Sequence, residues 1–169
     1  MELINNTTKT LKDDLSVEIK QGSKLSIAAA CFSIYAFQEL KERLSQIEEL
    51  RFIFTSPTFV TEKAKKERRE FYIPRMTRER SLYGTEFEIK LRNELTQKAI
   101  ARECAEWIRQ KVTFKSNVSD KSIQGRIVVD GVGYTPINNF TTVELGCEKG
   151  NVISTTIVKT QIFLLTLII

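Results

Sequence analysis

The chain has 169 residues, 41% hydrophobic and 28% charged with little Gly or Pro, so it is long enough to bury a real core, and extended disorder is excluded. It contains no histidine, and its three cysteines, Cys31, Cys104 and Cys147, are far apart with no CxxC spacing. That pattern argues against a disulfide framework or a zinc site and predicts a reducing, cytoplasmic compartment. The net charge is +5, and a local excess of four comes from one window, Glu62 to Arg80, where eight basic residues face four acidic ones.

The opening MELINNTTKTLKDD has no basic segment followed by an apolar stretch and does not read as a signal peptide. A first helix is predicted from near Thr8, with Leu11, Leu15 and Ile19 on one stripe, ended by Gln21-Gly22-Ser23. Leu25–Phe32 is a nearly continuous apolar run, predicting a central strand buried on both faces. A helix follows with Tyr35, Phe37, Leu40, Leu44 and Ile47 on a helical period, then a strand over Leu50–Thr55 with Phe52 and Phe54 on one face and Ile53 on the other. Strand, helix and strand in this order predict a right-handed βαβ unit.

From about 56 to 84 the periodicity fails, and the stretch is a basic excursion with interspersed aromatics, including Phe71 and Tyr72. A long helix is predicted from about Thr85 to Lys111, with Leu91, Leu95, Ala99, Cys104, Trp107 and Ile108 inward. Val112-Thr113-Phe114 and Arg126–Val129 read as strands, joined by a polar hairpin-like connection through Asn117–Lys121. Asp130-Gly131 is a turn signal, and Thr141–Leu145 reads as the last strand of the body. After Gly150 the composition changes, so the expected division is a domain over 1–150 and an apolar tail over 151–169. The tail's end, Ile162–Ile169, is far shorter than the ~20 residues a membrane-spanning helix needs. It is open to reading as a final core strand or as a truncated or frame-altered end.

The order LSIAAACFS (Leu25–Ser33), IYAFQELKERLSQIEEL and LRFIFTS (Leu50–Ser56) resembles the opening of phospholipase D-like domains of the kind that precede superfamily-two DNA helicases in bacterial and mobile-element proteins. The resemblance runs from roughly Leu11 to Leu145. It implies an α/β sandwich with a mixed β-sheet and helices on both faces, Leu25–Phe32 being the central strand. Members that hydrolyse phosphodiesters use a His-x-Lys pair on a strand and a later segment carrying an asparagine. Laid on this chain, Gln124 stands at the histidine position, Arg126 at the lysine position and Asn139 at the asparagine.

A glutamine amide is neither nucleophile nor base, so the covalent phosphohistidine step has no substitute and no phosphodiesterase turnover is expected. Arginine keeps the positive charge in a geometry suited to phosphate oxygens. The plainer alternative is that Gln124 and Arg126 are ordinary solvent-facing strand residues. No Walker loop is present, because Gly146–Gly150 lacks the required spacing. No cofactor or metal is expected.

The expected function is a catalytically inactive, helicase-associated module that binds nucleic acid through Lys63, Lys65, Lys66, Arg68, Arg69, Arg75 and Arg78, together with Arg126. On charge alone, a solvated surface segment explains the same window. The competing function is a protein-interaction module without nucleic-acid binding, since single-motif chains of this superfamily often pair as homodimers. An unrelated enzyme using carboxylates such as Asp130 and Glu144 ranks last, for want of a paired-acid motif.

Overall fold

The computed structural model describes residues 1–55, 86–118, 121, 123–147 and 156–162. Among these residues ten elements follow one another: β1 (Glu2–Ile4), α1 (Leu11–Glu18), β2 (Lys24–Ala29), α2 (Ile34–Leu44), β3 (Glu49–Phe54), α3 (Glu86–Lys111), β4 (Val112–Ser116), β5 (Arg126–Val129), β6 (Val132–Thr135) and β7 (Ile157–Gln161). The strands form one mixed sheet in the order β1-β7-β6-β5-β2-β3-β4. β2, β3 and β4 are parallel neighbours, and the other pairings are antiparallel. No helix among the described residues is long and apolar enough to cross a membrane.

The first elements form for local reasons. Thr10 caps α1: its hydroxyl accepts from Asp13 N at 3.1 Å and donates to Asp13 Oδ2 at 2.6 Å, so cap and third helical residue satisfy each other. The predicted stripe is seen, with Leu11, Leu15 and Ile19 all buried. Gly22 then turns the chain at a φ of 79°. β2 lies inside the sheet, between β5 and β3, as its apolar run predicts. It ends at Ala29 rather than Phe32, and its two faces are unequally buried: Leu25, Ile27 and Ala29 are in the core, while on the other face Ala28 is buried and Lys24 and Ser26 are exposed. Ser33 caps α2 by accepting from Tyr35 N at 3.2 Å, and Ala36, Phe37, Leu40 and Leu44 of that helix are buried.

Sheet register carries one continuous core face across the strands: Phe114 beside Phe52, Phe52 beside Ile27, Ile27 beside Ile127 and Ile127 beside Tyr134. Against it lie all three helices. Phe32 sits at the centre of an aromatic cluster, edge-on to Phe52 at 5.6 Å and stacked on Phe140 at 5.4 Å. Trp107 of α3 packs against Phe37 of α2 at 4.9 Å, and its indole N–H donates to Leu44 O at 2.9 Å. At the opposite end of the core, α1 reaches β6 through Tyr134 Oη, which donates to Asp14 Oδ2 at 2.7 Å.

Several expectations are corrected. Among the described residues the helices cover one face of the sheet, not both. Leu95 and Ala99 of α3 are exposed, and from residue 95 onward the first buried side chain of that helix is Cys104; the side chain of Leu91 lies outside the described set. The connection through Asn117–Lys121 is no hairpin, because β4 pairs in parallel with β3 while β5 pairs with β2, two strands away. Thr141–Leu145 forms consecutive turns instead of a strand. Leu145 N bonds Thr141 O at 3.0 Å, and the Thr141 hydroxyl accepts from Glu144 N at 3.3 Å, a side-chain bond that favours a turn over a ladder.

The hairpin strand β6 was not anticipated; Asp130 and Gly131, at φ 47° and 92°, form the tight turn that leads into it. Within the apolar tail, residues 157–161 form β7, which joins β1 to β6. The basic excursion, about residues 56–84, lies outside the described residues.

Candidate functional site

The positions singled out by the resemblance meet at the carboxyl end of β2. Beyond Ala29 the chain continues beside residues 136–140: Ala30 N donates to Asn138 O at 2.8 Å, Phe140 N to Cys31 O at 3.0 Å, and Ser33 N to Phe140 O at 3.0 Å. On the other side, Ile137 N donates to Gly125 O at 3.0 Å. This segment therefore brings Asn139 to the end of the sheet where Gln124 and Arg126 enter β5.

Gly125, between those two residues, is obligatory. A Cβ there would lie 1.6 Å from Ile137 O and 2.8 Å from its carbonyl carbon, both backbone atoms. The close approach of two backbones is what allows Gln124, Arg126 and the 136–140 segment to share one place.

The chemistry on offer at this end is limited. The Cys31 thiol donates to Asn139 Oδ1 at 3.3 Å. Although Cys31 is exposed, partial desolvation of its sulfur and then the neighbouring Glu144 carboxylate push its pKa up, so it rests as a thiol rather than a thiolate. Cys104 is buried under α3 and pushed up to about 11. Glu144 is buried and committed to the loop, accepting from Asn138 N at 2.7 Å. Asp130 lies at the opposite end of β2, where it accepts from Lys24 N at 2.9 Å. The two carboxylates thus flank no common space. Among the described residues no group of three His, Cys, Asp or Glu side chains is placed to hold a metal ion.

The uncovered face of the sheet is the more distinctive feature. Register sets two lateral rows across four strands. One runs Arg126, Ala28, Ile53, Lys115; the next runs Val128, Ser26, Arg51, Thr113. Together with Ile123 they line a groove of about 590 Å³. Its floor is apolar and mostly aliphatic, its rim holds three cations and two hydroxyls, and among the described residues no carboxylate lines it.

Arg51 pairs with Glu49, two residues down β3, at 2.6 Å. The Arg51 side chain is largely open to water and that of Glu49 is partly so, so this pair holds the guanidinium only weakly. Lys115 and Arg126 have no ion-pair partner among the described residues.

Of the residues expected to bind nucleic acid, Arg126 is therefore on the groove rim. Lys63, Lys65, Lys66, Arg68, Arg69, Arg75 and Arg78 lie outside the described residues, as do Phe71 and Tyr72. Sequence reasoning missed Arg51, Lys115, Ser26 and Thr113. Their signal was alternation: each is the outward residue between inward neighbours in LSI, LRF, VTF or FKS. What alternation could not supply was the register that sets them side by side.

No family model, curated protein or solved structure matches the chain.

Proposed function

We propose that this chain is a catalytically inactive phospholipase D-like sandwich that binds nucleic acid, as an accessory module of a helicase-type protein. The observation that carries the reading is the groove rim: Arg51, Lys115 and Arg126 face one space that, among the described residues, no carboxylate lines. Cations gathered around a recess, of which only Arg51 is paired among the described residues and that by an exposed bridge to Glu49, attract a polyanion, and phosphate contacts from Arg, Lys and hydroxyl side chains are the common currency of nucleic-acid binding. Supporting it, Gln124 stands where the resemblance would put a nucleophilic histidine, and the nearby Cys31 thiol is held protonated. Binding without turnover is the chemistry left to such a site.

The test is a titration of labelled DNA at about 50 and about 200 mM salt, with the oligonucleotide's length checked after prolonged incubation. Weak binding that is lost at the higher salt, with the oligonucleotide intact, is expected. Cleavage that disappears when one named residue of this chain is changed would overturn the inactive assignment. Absence of binding at the lower salt would overturn the nucleic-acid reading and leave the protein-interaction module in its place.

A further inference from the structure

We infer that the uncovered sheet face is itself the nucleic-acid site, and that it takes a single strand rather than a duplex, with a base against the aliphatic floor and phosphates on the cationic rim. This rests on the nucleic-acid reading above and assigns it a surface, a strandedness and three residues.

The spacing of the cations sets what the face can hold. Arg126 and Lys115 end the same lateral row, three inter-strand steps apart, or about 14 Å between their backbones. Arg51 belongs to the neighbouring row, two residues away along β3, about 7 Å. Between the cations lie Ala28 and Ile53, with Val128 beside Ser26 in the second row. A ligand that satisfies this face must present negative charge on both flanks and an apolar surface in the middle. About 14 Å also spans roughly four nucleotides of a stacked strand at ~3.4 Å each, the lower end of the usual site size for single-strand binders.

A duplex does not meet that requirement. Its outer surface is phosphate and sugar, so docking it here would press charged groups onto the aliphatic floor without burying that floor against anything apolar. A single strand exposes the faces of its bases and keeps its phosphates on one edge. It can lay a base on Ile53 and Ala28 while Arg126 and Lys115 take phosphates to either side. Ser26 and Thr113 add hydroxyl donors next to Arg51. The rings of Phe52, Phe54 and Phe114 pack together on the core side of the sheet, so the strands offer no ring for stacking in the groove. The affinity is therefore weak and tolerant of sequence.

The experiment measures binding of a fluorescein-labelled oligothymidylate of about ten nucleotides, and of a duplex of equal length, to the full chain and to two variants. The first carries R51Q, K115Q and R126Q together; the second carries I53S alone. Native-like circular dichroism and Trp107 fluorescence verify that each variant is folded.

The expected result is that the parent prefers the single strand. The triple variant binds it at least about tenfold more weakly, with a log–log salt slope reduced by ~2, at ~0.7 per phosphate contact. I53S weakens binding at every salt concentration and leaves the slope unchanged. If single strand and duplex bind equally and neither variant matters, the inference is overturned while the nucleic-acid reading stands. If neither nucleic acid binds, both fall. If an acidic amphipathic peptide binds in place of the oligonucleotide and is lost with the same substitutions, the face is a protein-docking surface and the inference is likewise overturned.

Discussion

Asp14 carries more of this structure than its place in a polar helix would suggest. Its side chain is 4% exposed, yet it is charged, bonded to Lys159 Nζ at 2.8 Å, to Lys9 and to the Tyr134 hydroxyl. Burial alone would push its carboxyl up. The bonds from Lys159, Lys9 and Tyr134 outweigh it and hold the group below the usual carboxylate range. A carboxylate depressed in the folded state contributes stability that is fully present above its unfolded pKa of ~3.9. That contribution is lost as pH falls through the folded value. The D14N variant is expected to unfold about 3 kcal/mol more easily at neutral pH, and this gap to the parent should close as urea midpoints are followed into acid. A gap that stays constant with pH would contradict the account.

Two other residues test the local chemistry. G125A must push its Cβ into the Ile137 carbonyl, a backbone clash that no rotamer relieves, and a loss of at least ~3 kcal/mol is expected in chemical denaturation. Thiol alkylation of the native protein should modify exposed Cys31 and spare Cys104, which is buried under α3 with its pKa pushed up to about 11. Protection of Cys104 that vanishes on unfolding is the outcome to look for, by mass spectrometry of the labelled peptides. Neither the buried acid nor the obligatory glycine was visible in the sequence, because each owes its role to residues more than ten positions away: Asp14 to Tyr134 and Lys159, Gly125 to Ile137.

At the scale of elements, legibility followed locality. α1, β2, α2 and β3 were readable as elements, with ends within about three residues, since short hydrophobic periods are written within a few positions. The α3 stripe was overextended because Leu95 and Ala99 keep the helical period beyond the point where α2 offers a surface. β6 was missed because VGYT is short and contains a glycine, whereas TTVEL has strand composition but spends Thr141 on a turn.

The contact that fixes α3 is concrete. Trp107 is 8% exposed, stacked near Phe32 and bonded to Leu44 O. It is the chain's single tryptophan, so its emission should be blue-shifted in the native state and report α3 undocking directly. W107F removes the N–H donor and leaves the Leu44 carbonyl unsatisfied in the core, a loss of roughly 1–3 kcal/mol in urea unfolding followed by circular dichroism. An unchanged midpoint would mean that α3 is not held there.

For the whole molecule, the mixed α/β character followed from alternating apolar runs and helical periods. The expectation of helices on both faces did not hold among the described residues, and the difference decides the functional argument. A parallel β2-β3-β4 core normally has both faces covered; here the second face shows Arg51, Lys115 and Arg126 around an aliphatic floor. Three strands contribute those cations, and no local sequence pattern could have joined them before β3 was known to pair in parallel with β2 and β4. The resemblance pointed to Arg126 alone.

The account stands or falls on whether that face holds phosphates without consuming them. The direct measurement is the salt dependence of oligothymidylate binding, with the bound oligonucleotide recovered and sized. Three phosphate contacts on the groove give a log–log slope of about −2 for a single strand, and any contribution from the basic window at residues 62–80 makes it steeper. Affinity should therefore fall by about 20-fold or more over a fourfold rise in salt, with the oligonucleotide recovered intact. A slope near zero, or an oligonucleotide shortened by the protein, would contradict it.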